Sequence, residues 1–468
     1  MRPVPPSCGS GTVNYYVIGG GLVGNSLAAI WDPTRSRLLC NCVCFSFAIT
    51  EASTLQIWIY IPYNYGRFYF AITDFSVMVG VWMIPRSMAS SALQLSSWFP
   101  VVSVTGPRQS GKTTLVKEVF SDYSYANLEN PQTRQQALND PVGFIRNRPN
   151  RLVIDEAQLA PELFSMIQVV SDESNEPGQY VLLGSQNFLL LKQITQSLAG
   201  RVGLLKLLPL SYPEAASEKG DLTPDSFMLR GGYPRLYDVD IPPETYFSAY
   251  IKTYVERDVQ DYLGVRDLSS YRALLELCAQ CAGSLLNVSR LASDLGVSRA
   301  TVDTWLSMLE SSYIVFRLRP YHANLRKRLI KTPKLYFCDT GLLCHLLRIQ
   351  TIEQLLTSPY LGMVFENFVI AERMKAYLNA GREPDLYFYR DDNKVEVDLV
   401  DLTDSSCGLL AEIKSSQTYR SGFSKNLRLV GDEIGIPAER RFVVERAEGN
   451  FEVDGAQVRD VTTWLQTS

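Results

Sequence analysis

The chain has 468 residues, of which 46% are apolar and 20% charged, with a formal net charge of −4. These values exclude a collagen-like, disordered or strongly nucleic-acid-coating protein, and the length exceeds one ordinary core, so two to four domains are expected. The nine cysteines are odd in number and lack a scaffold spacing, which points to a reducing cytoplasm, and no run of roughly 20 uncharged apolar residues marks a membrane span.

Residues 1–82 differ from everything after them: they hold no lysine and few charges, and are rich in aromatics. Gly19, Gly21 and Gly24 fit the G-x-G-x-x-G spacing. That fingerprint needs a strand, a helix and an acid about 20 positions on. Asp32-Pro33 breaks the helix early and no second strand with a terminal acid follows, so a dinucleotide is set aside. So is a metal at Cys40, Cys42 and Cys44, which lack a second ligand cluster. The expectation is a poorly defined extension arising from an upstream start codon, with Met83 as the true start. An amphipathic helix through Met88, Leu93 and Leu95 follows.

From Phe99 the pattern is orderly. Val101–Thr105, Leu152–Ile154 and Tyr180–Leu183 read as buried strands, separated by helices over Thr113–Phe120 and Pro161–Val170. Alternating strands and helices predict a parallel α/β sheet. Between the first strand and its helix, Gly106, Pro107, Arg108, Gln109, Ser110, Gly111, Lys112 and Thr113 match G-x-x-x-x-G-K-[ST] in full, with Thr114 next in the helix. The glycines let backbone N–H groups approach and cradle phosphates at a helix N-terminus. Lys112 is expected on the β- and γ-phosphates and the Thr113 hydroxyl on Mg2+. Asp155 ends the next apolar strand, where it holds magnesium-bound water, and Glu156 is the expected general base. Gln186 or Ser185, at the third strand's end, is a candidate sensor of the γ-phosphate. Arg201, and more weakly Arg257, offers a guanidinium for the developing charge; a structural ion pair is the alternative for both. ATP and Mg2+ are therefore the expected ligands, with no guanine-reading N-K-x-D motif.

These motifs, VTGPRQSGKTTL, YANLENP, LVIDEAQ, LLGSQN and SLAGR, resemble prokaryotic P-loop ATPases of the AAA-14 type. Gly231 to Pro234 (GGYP) and YVERDV add to the likeness. The chain from about Tyr250 resembles the DUF4143 domain that follows in such proteins. Together the resemblance covers roughly residues 83–420, and it implies ATP rather than GTP.

The chain turns helical after Pro209, notably over Glu244–Tyr262 and Tyr271–Ser311. Val288–Leu309 reads as a helix-turn-helix. Leu291, Ala292, Leu295, Val302, Trp305 and Leu306 are its core, Gly296 its turn, and Ser298–Leu309 the recognition helix. Ser298, Arg299, Thr301 and Thr304 would face a DNA groove. Tyr313–Tyr321 and Leu329–Phe337 then form a hairpin, completing a winged helix, whose loop bears Arg326, Lys327, Arg328 and Lys331. DNA is the partner this suggests; a packing or dimerisation module is the alternative.

Further on, Asp398 closes one strand and Glu412 and Lys414 share a face of another, because strand side chains alternate. This D…E-x-K pattern resembles the PD-(D/E)XK core of restriction-endonuclease-like proteins. The resemblance implies that Asp398 and Glu412 hold a divalent ion, that Lys414 positions water, and that Glu366 is the extra helical acid. The motif's proline is absent, with Val397 before Asp398.

The expected architecture is α/β: an extension (1–82), a P-loop NTPase parallel sheet (83–215), a helical segment (216–268), a winged helix (269–335) and a restriction-endonuclease-like α/β domain (336–468). The expected function is ATP hydrolysis coupled to action on nucleic acid in the cytoplasm, away from any membrane and compatible with an oligomer. The alternative is a nucleotide-dependent switch whose C-terminal domain binds a partner without cleavage.

Overall fold

The computed structural model describes residues 84–148, 151–174, 176–185, 187–256, 260, 267–321, 331–404, 407–447 and 449–466, together with seven strands within 15–79. The chain divides into two compact units, 1–83 and 84–468. In the first, strands Tyr15–Val17, Ala28–Asp32, Arg37–Cys40, Val43–Ile49 and Leu55–Tyr60 pair antiparallel in sequence order, and Phe70–Thr73 forms a hairpin with Ser76–Val79. An antiparallel meander is not the parallel βαβ unit a dinucleotide fingerprint requires. Gly19, Gly21, Gly24 and Cys42 lie outside the described residues, as do the side chains of Cys40 and Cys44.

The second unit begins with helix Ala89–Trp98. Its inner face carries Met88, Ser91, Ala92 and Leu95, so two of the three expected apolar positions face the core, while Leu93 is 53% exposed. Small side chains on that face bring the helix close to the sheet, where Gly203 offers no side chain of its own to obstruct Leu95.

A five-stranded parallel sheet follows, in the order Val202–Lys206, Val101–Thr105, Tyr180–Gly184, Leu152–Asp155, Ser124–Asn127. The three central strands are buried throughout, as parallel strands covered by helices on both faces must be. The Tyr180–Gly184 strand separates the P-loop strand from the strand ending in Asp155. That order sets Thr105, Asp155 and Gly184 at one edge of the sheet, so their following loops share one crevice.

Beyond Pro209, Ser211 and Glu214 form a capping box that starts helix Tyr212–Glu218. Helices Pro224–Arg230, Arg235–Asp238 and Pro243–Tyr250 follow, the last running on as a π-helical turn, Ile251–Val255. After Leu268–Gln280 comes the helix-turn-helix. Asn287 caps Val288–Leu295, Gly296 ends it in the left-handed region, and Ser298 caps Arg299–Ser311. Val302, Trp305, Leu306 and Leu309 are buried, while Arg299, Ala300, Thr304 and Ser307 are exposed.

The hairpin Val315–Pro320/Lys334–Phe337 continues directly into an eight-stranded mixed sheet. Its order is Lys334–Phe337, Val315–Pro320, Leu386–Arg390, Glu396–Asp401, Leu409–Lys414, Arg441–Glu445, Ala456–Asp460, Phe451–Val453. The boundary expected between 335 and 336 therefore falls inside a strand. One hydrophobic core extends from Leu210 through Trp305 and Phe365 to Leu465, so helical segment, wing and C-terminal sheet solidify together. Among the described residues no helix is long and apolar enough to cross a membrane.

Candidate functional site

The P-loop leaves the Val101–Thr105 strand at Gly106, whose φ of +153° excludes most side chains; a Cβ there would stand 2.1 Å from the Leu207 carbonyl oxygen. Gly111, at φ +93°, is the residue on which helix Lys112–Val119 begins. Lys112 Nζ donates to the carbonyls of Gly106 at 2.9 Å and Pro107 at 2.8 Å, so its ammonium lies across the mouth of the loop. Thr113 Oγ1 donates to Asp155 Oδ2 at 2.8 Å, and Tyr125 OH donates to the same oxygen at 2.5 Å. Burial, then the hydrogen bond to Asp155, raise the Tyr125 hydroxyl above its ordinary range and keep it a donor.

Glu156 occupies the left-handed region at φ +53°. Its Oε2 accepts hydrogen bonds from Gln158 Nε2 and, at 3.0 Å, from Ser185 Oγ. The strand order thus brings Lys112, Thr113, Asp155, Glu156 and Ser185 together. Gln186 and Arg257 lie outside the described residues.

Arg201 is elsewhere. Its carbonyl accepts from Val101 N, at the opposite end of the P-loop strand, and its guanidinium forms a two-pronged ion pair with Asp172 at 2.5 and 2.9 Å. The five-residue strand Val101–Thr105 separates it from the loop, so of the two expected roles for Arg201 the structural ion pair is the one this arrangement fits.

A residue that motif reading missed is Arg86. Only 7% exposed, it donates to the Ser110 carbonyl at 2.7 Å and the Leu208 carbonyl at 2.7 Å, and pairs with Glu214 at 3.2 Å. It ties the turn before Lys112 to the capping box. Nothing around MIPR in the sequence signals this, because the partners are remote.

In the C-terminal sheet, Lys414 Nζ bridges Asp398 Oδ2 at 3.3 Å and Glu412 Oε1 at 2.6 Å, and Ile413 N donates to Asp398 at 2.8 Å. The other oxygen of Glu412 is buried without a hydrogen bond. Burial, then the Asp398 charge, push Glu412 up to about 8. For Lys414 burial acts downward, and the two carboxylates outweigh it. Glu366, on helix Leu361–Asn379, accepts instead from Tyr336 OH at 2.6 Å and Lys334 Nζ at 3.2 Å. Lys334 is 3% exposed and pairs also with Glu396 at 2.7 Å.

Among the described residues no group of three or more His, Cys, Asp or Glu is arranged to hold a metal ion. Glu366 nevertheless shares an electrostatic cluster with the other two expected acids: burial, then the Asp398 charge, raise its carboxyl, while Lys334 and Tyr336 engage it and Lys414 bridges Asp398 and Glu412. Arg326, Lys327 and Arg328 lie outside the described residues; Lys331 is exposed.

Residues 99–216 match the model of an AAA domain, AAA-14. Residues 361–464 match a domain of unknown function, DUF4143, and residues 223–353 another, DUF8612. Uncharacterized proteins of Mycobacterium tuberculosis and Mycobacterium bovis are each 34% identical over 354 residues, spanning 73% of this chain and 78% of theirs. The chain belongs to the AAA-14/DUF4143 family.

Its DUF4143 portion starts later than the motifs suggested: the segment from Tyr250 to 353 matches the separate DUF8612 model, which spans the helical segment and wing. An uncharacterized protein of Haemophilus influenzae is 23% identical over 274 residues, 52% of this chain and 68% of that one. Among solved structures, a Walker-type ATPase of Pyrococcus abyssi covers 56% of the chain and 96% of its own, with a TM-score of 0.35 at 15% identity. DnaA from Aquifex aeolicus, bound to AMPPCP, covers 48% and 86%, with a TM-score of 0.25 at 16% identity. Superpositions at that level carry no functional argument. The AAA-14/DUF4143 protein has a P-loop ATPase-type domain on the strength of its family and of its own sheet order and loop.

Proposed function

We propose that this AAA-14/DUF4143 protein binds ATP with magnesium at Gly106–Thr114, hydrolyses it, and couples hydrolysis to action on nucleic acid through its wing and C-terminal domain. The observation that carries the reading is the 2.8 Å hydrogen bond between Thr113 and Asp155, with Lys112 at the mouth of the same loop. A hydroxyl and a carboxylate are the hard oxygen donors magnesium takes, and they meet at the loop that would receive phosphates. Thr113 and Asp155 would hold the ion, which when bound neutralises charge on the phosphate oxygens. Lys112 exchanges its two carbonyl acceptors for phosphate oxygens. Glu156, steadied by Ser185 and Gln158, accepts a proton from the attacking water.

The test is magnesium-dependent ATP turnover by the full chain, with and without DNA, against Lys112→Ala. Turnover stimulated by DNA and lost by orders of magnitude in the variant is expected. An undiminished variant rate would overturn the assignment.

For the C-terminal domain a second reading has a specific observation behind it. Lys414 bridges Asp398 and Glu412, and Lys334 with Tyr336 engages Glu366, so each of these carboxyls has a side-chain partner without an ion. This favours a nucleotide-dependent switch whose C-terminal domain binds a partner without cleaving nucleic acid. Plasmid nicking with Mg2+ or Mn2+ separates the two readings. Nicking that disappears in Lys414→Ala supports a nuclease, and equal absence in both proteins supports the switch.

A further inference from the structure

The tip of the P-loop is held by residues well beyond the AAA domain. Gln109, exposed and at φ +61°, accepts a hydrogen bond from Tyr246 OH at 2.8 Å and donates one to Tyr254 OH at 2.8 Å. Tyr250 OH lies 3.4 Å from the Arg108 carbonyl oxygen, and the Arg108 guanidinium lies over the Tyr254 ring, 5.7 Å from its centroid. Positions 246, 250 and 254 recur every fourth residue and so occupy one helix face. Tyr254 sits in the π-helical turn Ile251–Val255, a distortion that recurs at functional sites. A left-handed conformation is unfavourable for glutamine, and the two tyrosine hydroxyls offset that cost by using both ends of its amide.

Behind the tyrosines the contacts continue. Tyr233 OH donates to Tyr250 OH at 3.0 Å, with ring centroids 4.8 Å apart. Gly232 N, next to Tyr233, donates at 2.7 Å to the buried Asp339, which caps helix Thr340–Leu346 immediately after the wing strand Lys334–Phe337. Pro234, at the end of the GGYP segment, would meet a Cβ at Gly111 at 3.6 Å. The loop is thus joined to the wing through packed and hydrogen-bonded groups.

We infer that Tyr246 and Tyr254 are positioning residues of the nucleotide site: through Gln109 they hold the loop tip in its phosphate-receiving shape, and the same contacts carry nucleotide occupancy to the tyrosine helix. The inference rests on the reading that the loop binds Mg·ATP. Because coupling is reciprocal, a helix that stabilises the binding-competent loop is itself stabilised by nucleotide.

Two variants test this in the full chain. Tyr246→Phe/Tyr254→Phe keeps both rings and removes both hydroxyls; Gln109→Ala removes the same bonds from an exposed position. The measurements are the Kd for a fluorescent ATP analogue with Mg2+, KM and kcat for ATP, and hydrogen exchange over residues 243–256 with and without nucleotide. In wild type, nucleotide should slow exchange over 243–256. In both variants Kd and KM should rise about ten-fold, the effect on KM exceeding that on kcat several-fold, and the nucleotide-dependent protection should vanish. Kd within two-fold of wild type, or protection intact in both variants, overturns the inference. Should the double tyrosine variant misfold, Gln109→Ala decides by the same criteria. Absence of Mg·nucleotide binding by wild type itself would instead overturn the site assignment, and the inference with it.

Discussion

Thr113 and Asp155 stand 42 residues apart in sequence, yet Thr113 Oγ1 donates to Asp155 Oδ2 at 2.8 Å across the inserted strand Tyr180–Gly184. Two oxygen donors that share one bond should act as a unit toward a cation. Thr113→Ala and Asp155→Asn are each expected to weaken Mg2+-dependent ATP binding by roughly ten- to a hundred-fold. The double variant should be little worse than either, since interacting groups are non-additive. Calorimetric titration with Mg·ATP measures this, and strictly additive losses would sink the idea of a common site.

Arg86 is expected to matter as much to the loop as residues within it. Arg86→Met leaves Glu214 buried beside the Ser87 and Ser211 amides without its cation. Breaking a buried pair from one side costs about 3–5 kcal/mol. Burial pushes the Glu214 carboxyl up, but Arg86 and the backbone donors outweigh it, so its pKa is held below the ordinary carboxylate value. A depressed folded pKa contributes stability above the unfolded pKa of about 4.5 and loses it as pH falls through the folded one. Thermal unfolding of wild type should therefore weaken below about pH 4.5, and Arg86→Met should lose much of that acid dependence. Parallel curves for the two proteins would contradict the pairing.

The parts of this site that were legible in the sequence are those in which backbone geometry and chemistry coincide locally. Gly106 to Thr113 is a contiguous loop, the apolar strand before Asp155 is buried throughout, and alternation alone aligned Glu412 with Lys414. Contacts made by the fold were not legible. Arg86 meets Glu214 across 128 residues, Gln109 meets Tyr246 across 137, and Lys334 meets Glu366 across 32. The edge strand Ser124–Asn127 escaped because only Ala126 is buried in it, leaving no apolar run to notice. A hairpin after the two helices was legible in the sequence, but its pairing with Leu386–Arg390, which merges it into the C-terminal sheet, depends on a strand about 70 residues downstream.

Arg201→Ala should have little effect on the nucleotide site. Its guanidinium is committed to Asp172 at the far end of the P-loop strand. ATP affinity and turnover are expected to stay within about two-fold of wild type, in keeping with an exposed pair. A hundred-fold fall in kcat at low protein concentration would return Arg201 to the catalytic machinery.

Glu412 offers the clearest pH signature in the C-terminal domain. Its carboxyl is buried, has one oxygen without a hydrogen bond, and faces the Asp398 charge, which together push it up to about 8. Unfolded, it would titrate near 4.5. A folded pKa raised above the unfolded one means the folded chain holds a proton that the unfolded chain has released. Its stabilising contribution is therefore complete below about pH 4.5 and declines until pH passes about 8. Glu412→Gln removes the titration while keeping the shape and a hydrogen-bond acceptor for Lys414, which retains Asp398 as its anion. The unfolding temperature of wild type should fall between pH 5 and 8 more steeply than that of Glu412→Gln. At pH 8 the variant should be the more stable protein, by about 1 °C for each kcal/mol regained in a unit of this size. Scanning both proteins by calorimetry across that range checks the sign. A variant less stable than wild type at pH 8 would mean that ionised Glu412 is a net stabiliser of Lys414, and that the carboxylate is not held protonated by its surroundings.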